Sequence, residues 1–257
     1  MVTPRAPSWA LITGASSGLG RALARRCARD GWNLVLVARR QEALQELARQ
    51  LEAVQVLTVP LDLRRNDAID HLQERLAAAQ IPLSRVGMLI NNAGVGDHGP
   101  FTDLPADRLE AMLQVNVAAV TRLVYRFARE MTPGSTICTV ASVAAFTPGP
   151  LMAVYYATKA YVLSLGEALH RELHPRGIRV VTVCPGPFRS EFHAAAGIRE
   201  ARGLPSEDRV ARRVLAAIRR GRPVVPVGFG ARVWAWVGPR LPRSWAVRII
   251  HALQRRR

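Results

Sequence analysis

Among 36 basic side chains other than histidine, one is a lysine: Lys159, four residues after Tyr155 in Tyr155-Tyr156-Ala157-Thr158-Lys159. Everywhere else the chain uses arginine. A position that keeps lysine in such a chain asks for what arginine cannot give, a compact ammonium on a flexible stem with a pKa that can move. A spacing of four residues puts both side chains on one face of a helix. A unit charge about 4 Å from a phenol contributes roughly 4 kcal/mol at an effective dielectric of about 20. That is enough to bring Tyr155 from about 10 toward neutral pH, where a phenol works as an acid or a base. Read alone, the pair is equally a chance neighbourhood on a helix surface, and the remaining motifs decide against that.

Thr13-Gly14-Ala15-Ser16-Ser17-Gly18-Leu19-Gly20 stands between the first apolar run and the first helical pattern. Glycines there let the backbone approach a pyrophosphate, and the helix start supplies N–H donors. The second strand ends in Val37-Ala38-Arg39-Arg40. An acid for a ribose 2′-hydroxyl is missing, and two arginines suit a 2′-phosphate, the alternative being the start of a solvated helix. Asp62-Leu63 follows the third strand, with Asp62 a candidate acceptor for an adenine amino group or a helix cap. Asn91-Asn92-Ala93-Gly94 closes the fourth strand with small residues that leave room for a nicotinamide ribose. Asn116 sits among apolar neighbours and needs a buried partner. Ala141-Ser142 ends the fifth strand, thirteen residues before Tyr155, and Pro185-Gly186-Pro187 ends the sixth, with Ser190 beyond.

Positioning these groups requires alternating strands and helices. Apolar runs predict strands at Trp9–Thr13, Asn33–Ala38, Val54–Pro60, Val86–Asn91, Ser135–Ala141, Ile178–Cys184 and Pro223–Val227. Helical patterns fall at Gly18–Asp30, Gln41–Leu51, Asp67–Ala79, Ala106–Met131, Val154–His174 and Ser206–Arg220. This alternation predicts an α/β fold, one doubly wound sheet of parallel strands with helices on both faces. The irregular stretch Pro187–Pro205 has the length of a lid or binding loop. No run is long and apolar enough to span a bilayer, and the first apolar run is too short for a signal peptide. Cys27, Cys138 and Cys184 have no paired spacing and are expected reduced and buried, which fits a cytoplasmic location.

Taken together, the Gly-rich turn, Asn-Asn-Ala-Gly, Asn116, Ser142, Tyr155-x-x-x-Lys159 and Pro185-Gly186, in this order and spacing, resemble the short-chain dehydrogenase/reductase family in its single-domain branch. The resemblance covers roughly residues 8 to 227. It implies a seven-stranded Rossmann-like sheet, an NADPH/NADP+ cofactor (NADH being less suited) and hydride transfer with a ketone, aldehyde or secondary alcohol. It implies Tyr155 as acid/base, Lys159 as the residue that lowers its pKa and bonds the nicotinamide ribose, and Ser142 as the hydroxyl that polarises the carbonyl. Asn116 would hold a water that links Lys159 to solvent. Gly14, Ser16, Ser17, Gly18, Leu19 and Gly20 would meet the pyrophosphate and ribose; Arg39, Arg40, Asp62 and Leu63 the adenosine end. Asn91, Asn92, Ala93, Gly94, Pro185 and Gly186 would wall the nicotinamide. Where many relatives have a threonine after Pro-Gly, this chain offers Ser190. The alternative is a nucleotide-binding or membrane scaffold that keeps the fold without turnover, against which stand four competent residues at the four catalytic positions. The family also implies a homodimer or homotetramer.

A net charge of +17 admits nucleic acid, an anionic membrane or a phosphorylated cofactor as partners, and its distribution discriminates among them. From Arg209 onward there are thirteen arginines and no acid. The five tryptophans form no stacking platform interleaved with basic residues, so nucleic acid is not expected. His170 and His174 lack the glutamate directly after the first histidine that a zinc-protease helix needs, so no metal is expected. Asp97 and His98 are candidates for the border of the substrate pocket. The division expected is residues 1–228 for the dehydrogenase-like domain and 229–257 for a basic amphipathic extension, with Ser244–Arg257 as a short helix. That extension either packs over the pocket or another subunit, or lies peripherally on an anionic inner membrane face, which would favour a hydrophobic substrate.

Overall fold

The computed structural model describes residues 8–192, 196–197 and 203–255. Seven strands form one parallel sheet: β1 (Trp9–Thr13), β2 (Asn33–Ala38), β3 (Val56–Pro60), β4 (Val86–Asn91), β5 (Thr136–Val140), β6 (Arg179–Pro185) and β7 (Val224–Val227). Their order is β3-β2-β1-β4-β5-β6-β7. Each strand was expected within about two residues of where it lies, because a strand buried on both faces has little but apolar residues to offer. β1 shows the cause. Trp9 and Leu11 enter one core while Ala10 and Ile12 enter the other, and all four are buried.

Helices cover both faces. The first core takes its helical side chains from α3 (Ala68–Ala78), α5 (Val120–Glu130) and α6 (Ala153–Leu173). The second takes them from α1 (Gly18–Arg29), α2 (Gln41–Arg49) and a helix we label α7 (Glu207–Arg220). Local signals set α7 well. The Ser206 hydroxyl accepts from Arg209 N at 3.4 Å, Glu207 and Asp208 occupy the first turn, and Gly221 closes the helix at φ +66°.

The single helix expected over Ala106–Met131 is not continuous α-helix. α4 (Ala106–Leu113) and α5 flank a π-helical segment, Gln114–Ala119, with Asn116 at its middle. The sequence pattern conceals this, since a π segment adds a residue without breaking the apolar stripe. Beyond β7 come α8 (Phe229–Val237) and α9 (Arg243–Gln254). The three cysteines are free and buried. His170 Nδ1 lies 2.8 Å from the Val180 carbonyl, so this histidine ties α6 to β6. Among the described residues no helix is long and apolar enough to cross a membrane.

Strand order reverses between β1 and β4, and at such a switch point the crossovers leave in opposite directions and open a crevice at the carboxyl ends of the strands. The glycine turn, Asn-Asn-Ala-Gly, Ser142 and Pro185-Gly186 all follow or close the carboxyl ends of strands.

Candidate active site

A cleft of about 640 Å³ runs across the switch point. Its nucleotide half begins at the β1–α1 turn. Gly14 has φ +67°, and a Cβ there would stand 2.9 Å from Ala93 Cα. A Cβ on Gly20 would reach 2.1 Å from the Gly14 carbonyl. Both must be glycine for the turn to fold back against β4. Ser17 precedes α1 without a side-chain cap, which leaves the first N–H groups of that helix for a ligand. Ser16, Ser17, Gly18 and Leu19 line the cleft; Gly20 supports them from behind. Ser190 stands across from Gly18 and lines the same end.

Thr13 opens the glycine motif, but nothing in the sequence marks what its side chain does. Its hydroxyl accepts from the backbone N–H of Asn92 and of Ala93, both at 3.0 Å, and so locks the end of β4 to the end of β1. The Asn92 amide returns the tie by donating to the Thr13 carbonyl at 2.9 Å. Ala93 and Gly94 line the cleft. Asn91 does not: it is buried at the end of β4, and neither end of its amide has a hydrogen-bond partner among the described residues.

At the adenosine end Asp62 and Leu63 line the cleft with Arg39 and Arg40. Arg64 chelates Asp62 and holds its carboxyl below the usual range, chiefly through that hydrogen bond. Asp62 is therefore an acceptor already half occupied, and it does not cap α3. The two arginines differ. Arg40 donates to the Ser16 carbonyl and pairs with Glu191, each at 3.2 Å. Arg39 makes no hydrogen bond or ion pair among the described residues.

The reaction half is assembled from three elements. Ser142 follows β5, and its Oγ accepts from Ala144 N at 3.2 Å. Tyr155 and Lys159 stand one turn apart near the start of α6, and Pro185 and Gly186 end β6. All five line the cleft. The Ser142 hydroxyl lies close enough to the Tyr155 phenol to favour its ionised form. Lys159 is only 5% exposed; its Nζ donates to the Val140 carbonyl at 2.9 Å and lies 5.8 Å from the Tyr155 ring centroid.

This geometry corrects the expected pKa logic. Burial pushes the Tyr155 phenol up to about 12, with the Ser142 hydroxyl opposing and Tyr156 adding. Burial also pulls the Lys159 ammonium down to about 8. The helical spacing was right, but it places the ammonium beside the ring, where its donated bond goes to β5 and desolvation outweighs attraction.

Asn116 sits behind the cleft, not on its wall. Its amide accepts from Val95 N at 2.9 Å and donates to Val95 O at 2.8 Å and Thr158 Oγ at 3.1 Å. This buried side chain in the π segment fixes the segment following Gly94 and the turn carrying Lys159. A Cβ on Gly94 would lie 3.3 Å from both Asn116 Oδ1 and Lys159 Nζ, so the two groups face each other across that glycine.

The sequence profile of the short chain dehydrogenase family matches residues 8–201. The chain belongs to this family. Sulfoacetaldehyde reductase 2 of Chromohalobacter salexigens is 39% identical over 71% of this chain and 73% of its own. Very-long-chain 3-oxoacyl-CoA reductase of Mus musculus is 31% identical over 72% of this chain, and the match spans 61% of the mouse protein. Among solved structures, a short-chain dehydrogenase from Sphingobium yanoikuyae in complex with NADPH superposes with TM-score 0.77 at 37% identity, covering 91% of this chain and 93% of that one. The bulky-bulky ketone specific alcohol dehydrogenase of Comamonas testosteroni superposes with TM-score 0.75 at 33% identity, over 91% and 92%. This short-chain dehydrogenase is thus an oxidoreductase with the seven-stranded family sheet.

The C-terminal segment reaches this cleft too. Gln254 of α9 lines it beside Tyr156, Met152 and Phe192. No sequence signal marked Gln254, because a lone glutamine in a basic helix reads as solvent-facing. Asp97 lines the cleft and pairs with Arg108 at 2.9 Å, while His98 turns to the Gln254 carbonyl at 3.1 Å. Of the expected binding loop, residues 193–195 and 198–202 lie outside the described residues, as do Arg256 and Arg257.

Proposed function

We propose that the chain is an NADPH-dependent reductase, or reversible alcohol dehydrogenase, acting on a ketone or aldehyde. One observation carries this reading. A phenol, a hydroxyl and the chain's single lysine converge at one end of a cleft whose other end is a glycine turn, an uncapped helix start and two arginines. NADPH bound along it would supply the hydride to the carbonyl carbon. The Ser142 hydroxyl donates to the carbonyl oxygen and fixes it. Tyr155, protonated at neutral pH, gives its proton to that oxygen as negative charge develops there, and the alcohol forms. Lys159 sits within reach to offset the phenolate left behind, and Asn116 holds the turn that carries Lys159 and Thr158. Arg39 is assigned to the 2′-phosphate, with Arg40 joining once released from Glu191. The test is NADPH consumption with a panel of aldehydes and ketones: turnover supports the reading, and binding of NADPH without turnover of any carbonyl favours the scaffold alternative.

A second reading concerns residues 229–257, proposed as an extension beyond a catalytic domain of residues 1–228. The inner face of α9 packs on the cleft. The outer faces of α8 and α9 expose Phe229, Val233, Trp236, Trp245, Ile249 and Leu253 between arginines, with no acid after Asp208. A second copy against this face would bring like charges together, so we assign it to an anionic bilayer, and self-association to the α5–α6 face that exposes Tyr125 and Tyr161. Co-sedimentation with anionic vesicles at low salt, and its loss after truncation at Gly228, is the expected outcome. Equal binding by the truncated chain removes the assignment.

A further inference from the structure

α9 turns Ala246, Ile250 and Gln254 inward at four-residue spacing, and all three are buried. Ile250 joins Ala144, Met152, Tyr156 and Ala196 in an apolar cluster against which Tyr155 and Phe192 also pack. Gln254 is 3% exposed and lines the cleft. Its Nε2 donates to the Tyr156 hydroxyl at 2.8 Å, and its main-chain oxygen lies 3.1 Å from His98 Nε2. Its Oε1 is buried and has no hydrogen-bond partner among the described residues. A buried amide oxygen left unpaired opposes folding, and a native structure keeps one where something else completes it. The surroundings hold it there. The Tyr156 ring packs directly over Gly149, where any Cβ would collide with it, and this fixes the side on which its hydroxyl meets Gln254.

We propose that Gln254, presented by Tyr156, is a specificity-determining residue: it forms a polar subsite remote from Ser142 and reads a hydroxyl on the far end of the substrate. This rests on the cleft's assignment to a carbonyl substrate. The substrate class is then a ketone or aldehyde joined through an apolar body to a distal hydroxyl. Met152 and Phe192 flank that body, and Gln254 takes the hydroxyl. A hydroxyl suits the subsite whichever way the amide is turned, since it donates as well as accepts. Tyr156, whose hydroxyl is turned to Gln254, then has a role of its own.

The experiment compares methyl ketones of increasing chain length, each with and without a terminal hydroxyl, reduced by the full chain and by Gln254→Met, whose side chain has nearly the same shape. The full chain is expected to prefer the hydroxylated member at one chain length by about tenfold or more in kcat/KM. Gln254→Met is expected to abolish that preference, the change residing in KM for the hydroxylated ketone. Tyr156→Phe, which frees the amide to turn, is expected to weaken the preference and gives a second route if Gln254→Met does not fold. A merely structural Gln254 would lower both members alike, and an unaltered ratio in both variants overturns the subsite while the reductase assignment stands. Failure of the full chain to reduce any of the ketones overturns both.

Discussion

The two ends of the cleft are built on opposite principles. At the nucleotide end the groups on offer are a glycine turn, open backbone N–H groups and arginines that stand in water. At the reaction end the groups on offer are side chains, and Lys159 among them is buried at a cost. Lys159 is the clearest case, an ammonium drawn into the core with one carbonyl bond, its pKa pulled to about 8. The difference teaches where each end is vulnerable. A change at the reaction end should move activity by orders of magnitude, while one at the nucleotide end should shift a preference and yield to salt.

Tyr155→Phe presses that contrast hardest. Losing the general acid should lower kcat by roughly 10²–10⁴, while NADPH affinity measured by fluorescence titration stays close to that of the unaltered chain. Tyr156→Phe should cost far less, since its hydroxyl holds Gln254 and no reacting atom. Comparable losses in kcat from the two would mean that the acid is misassigned.

Lys159 separates activity from stability. Lys159→Arg should lose most of its turnover, because a guanidinium fits neither the space beside the Tyr155 ring nor the single bond to Val140. Lys159→Met should be inactive yet more stable. With a folded-state pKa near 8 against an ordinary 10.5, burial of the cation opposes folding by roughly 3 kcal/mol at neutral pH. The sign follows from the depressed value. The unfolded chain binds more protons between about 8 and 10.5, so native stability rises with pH across that window. The advantage of Lys159→Met should be full below about 8 and vanish above 10.5, as thermal melts across pH would record. The same titration governs catalysis: carbonyl reduction should fall as pH rises through about 8 and the ammonium is lost. A melting advantage that ignores pH would refute the link.

How much of this was legible depends on how local each signal is. The Gly14–Gly20 turn could be read because close backbone approach leaves no substitute for glycine, and the strands because burial on both faces leaves only apolar residues. Tyr155 and Lys159 were readable as a pair, yet their electrostatics were not, since desolvation depends on what β5 and α6 bring from elsewhere in the chain. Asn116 announced a buried partner but not that it would be Val95, nor that a π segment would carry it. Thr13 opens the glycine motif, but its role was not legible because its partners are about eighty residues away. Gln254 had no signal at all: only the fold brings the end of the chain back to Tyr156.

The nucleotide end yields the smallest expected effect and the sharpest reading of its own chemistry. Arg39 and Arg40 are adjacent in sequence, but Arg40 is engaged by Glu191 and Ser16, whereas Arg39 makes no hydrogen bond or ion pair among the described residues. If Arg39 meets the 2′-phosphate, NADPH should be preferred over NADH by about tenfold or more in kcat/KM, a charge-assisted bond at an exposed site. Because the contact stands in water, added salt should shrink the preference. Arg39→Leu should reduce it, and Ala38→Asp with Arg39→Leu should reverse it, the new carboxylate accepting from a 2′-hydroxyl and repelling a phosphate. Arg40→Leu should do less at first order, since its guanidinium must leave Glu191 before it can serve the cofactor. A chain that uses NADH as well as NADPH, or a preference indifferent to salt, would return Arg39 to the role of a solvated residue ahead of α2.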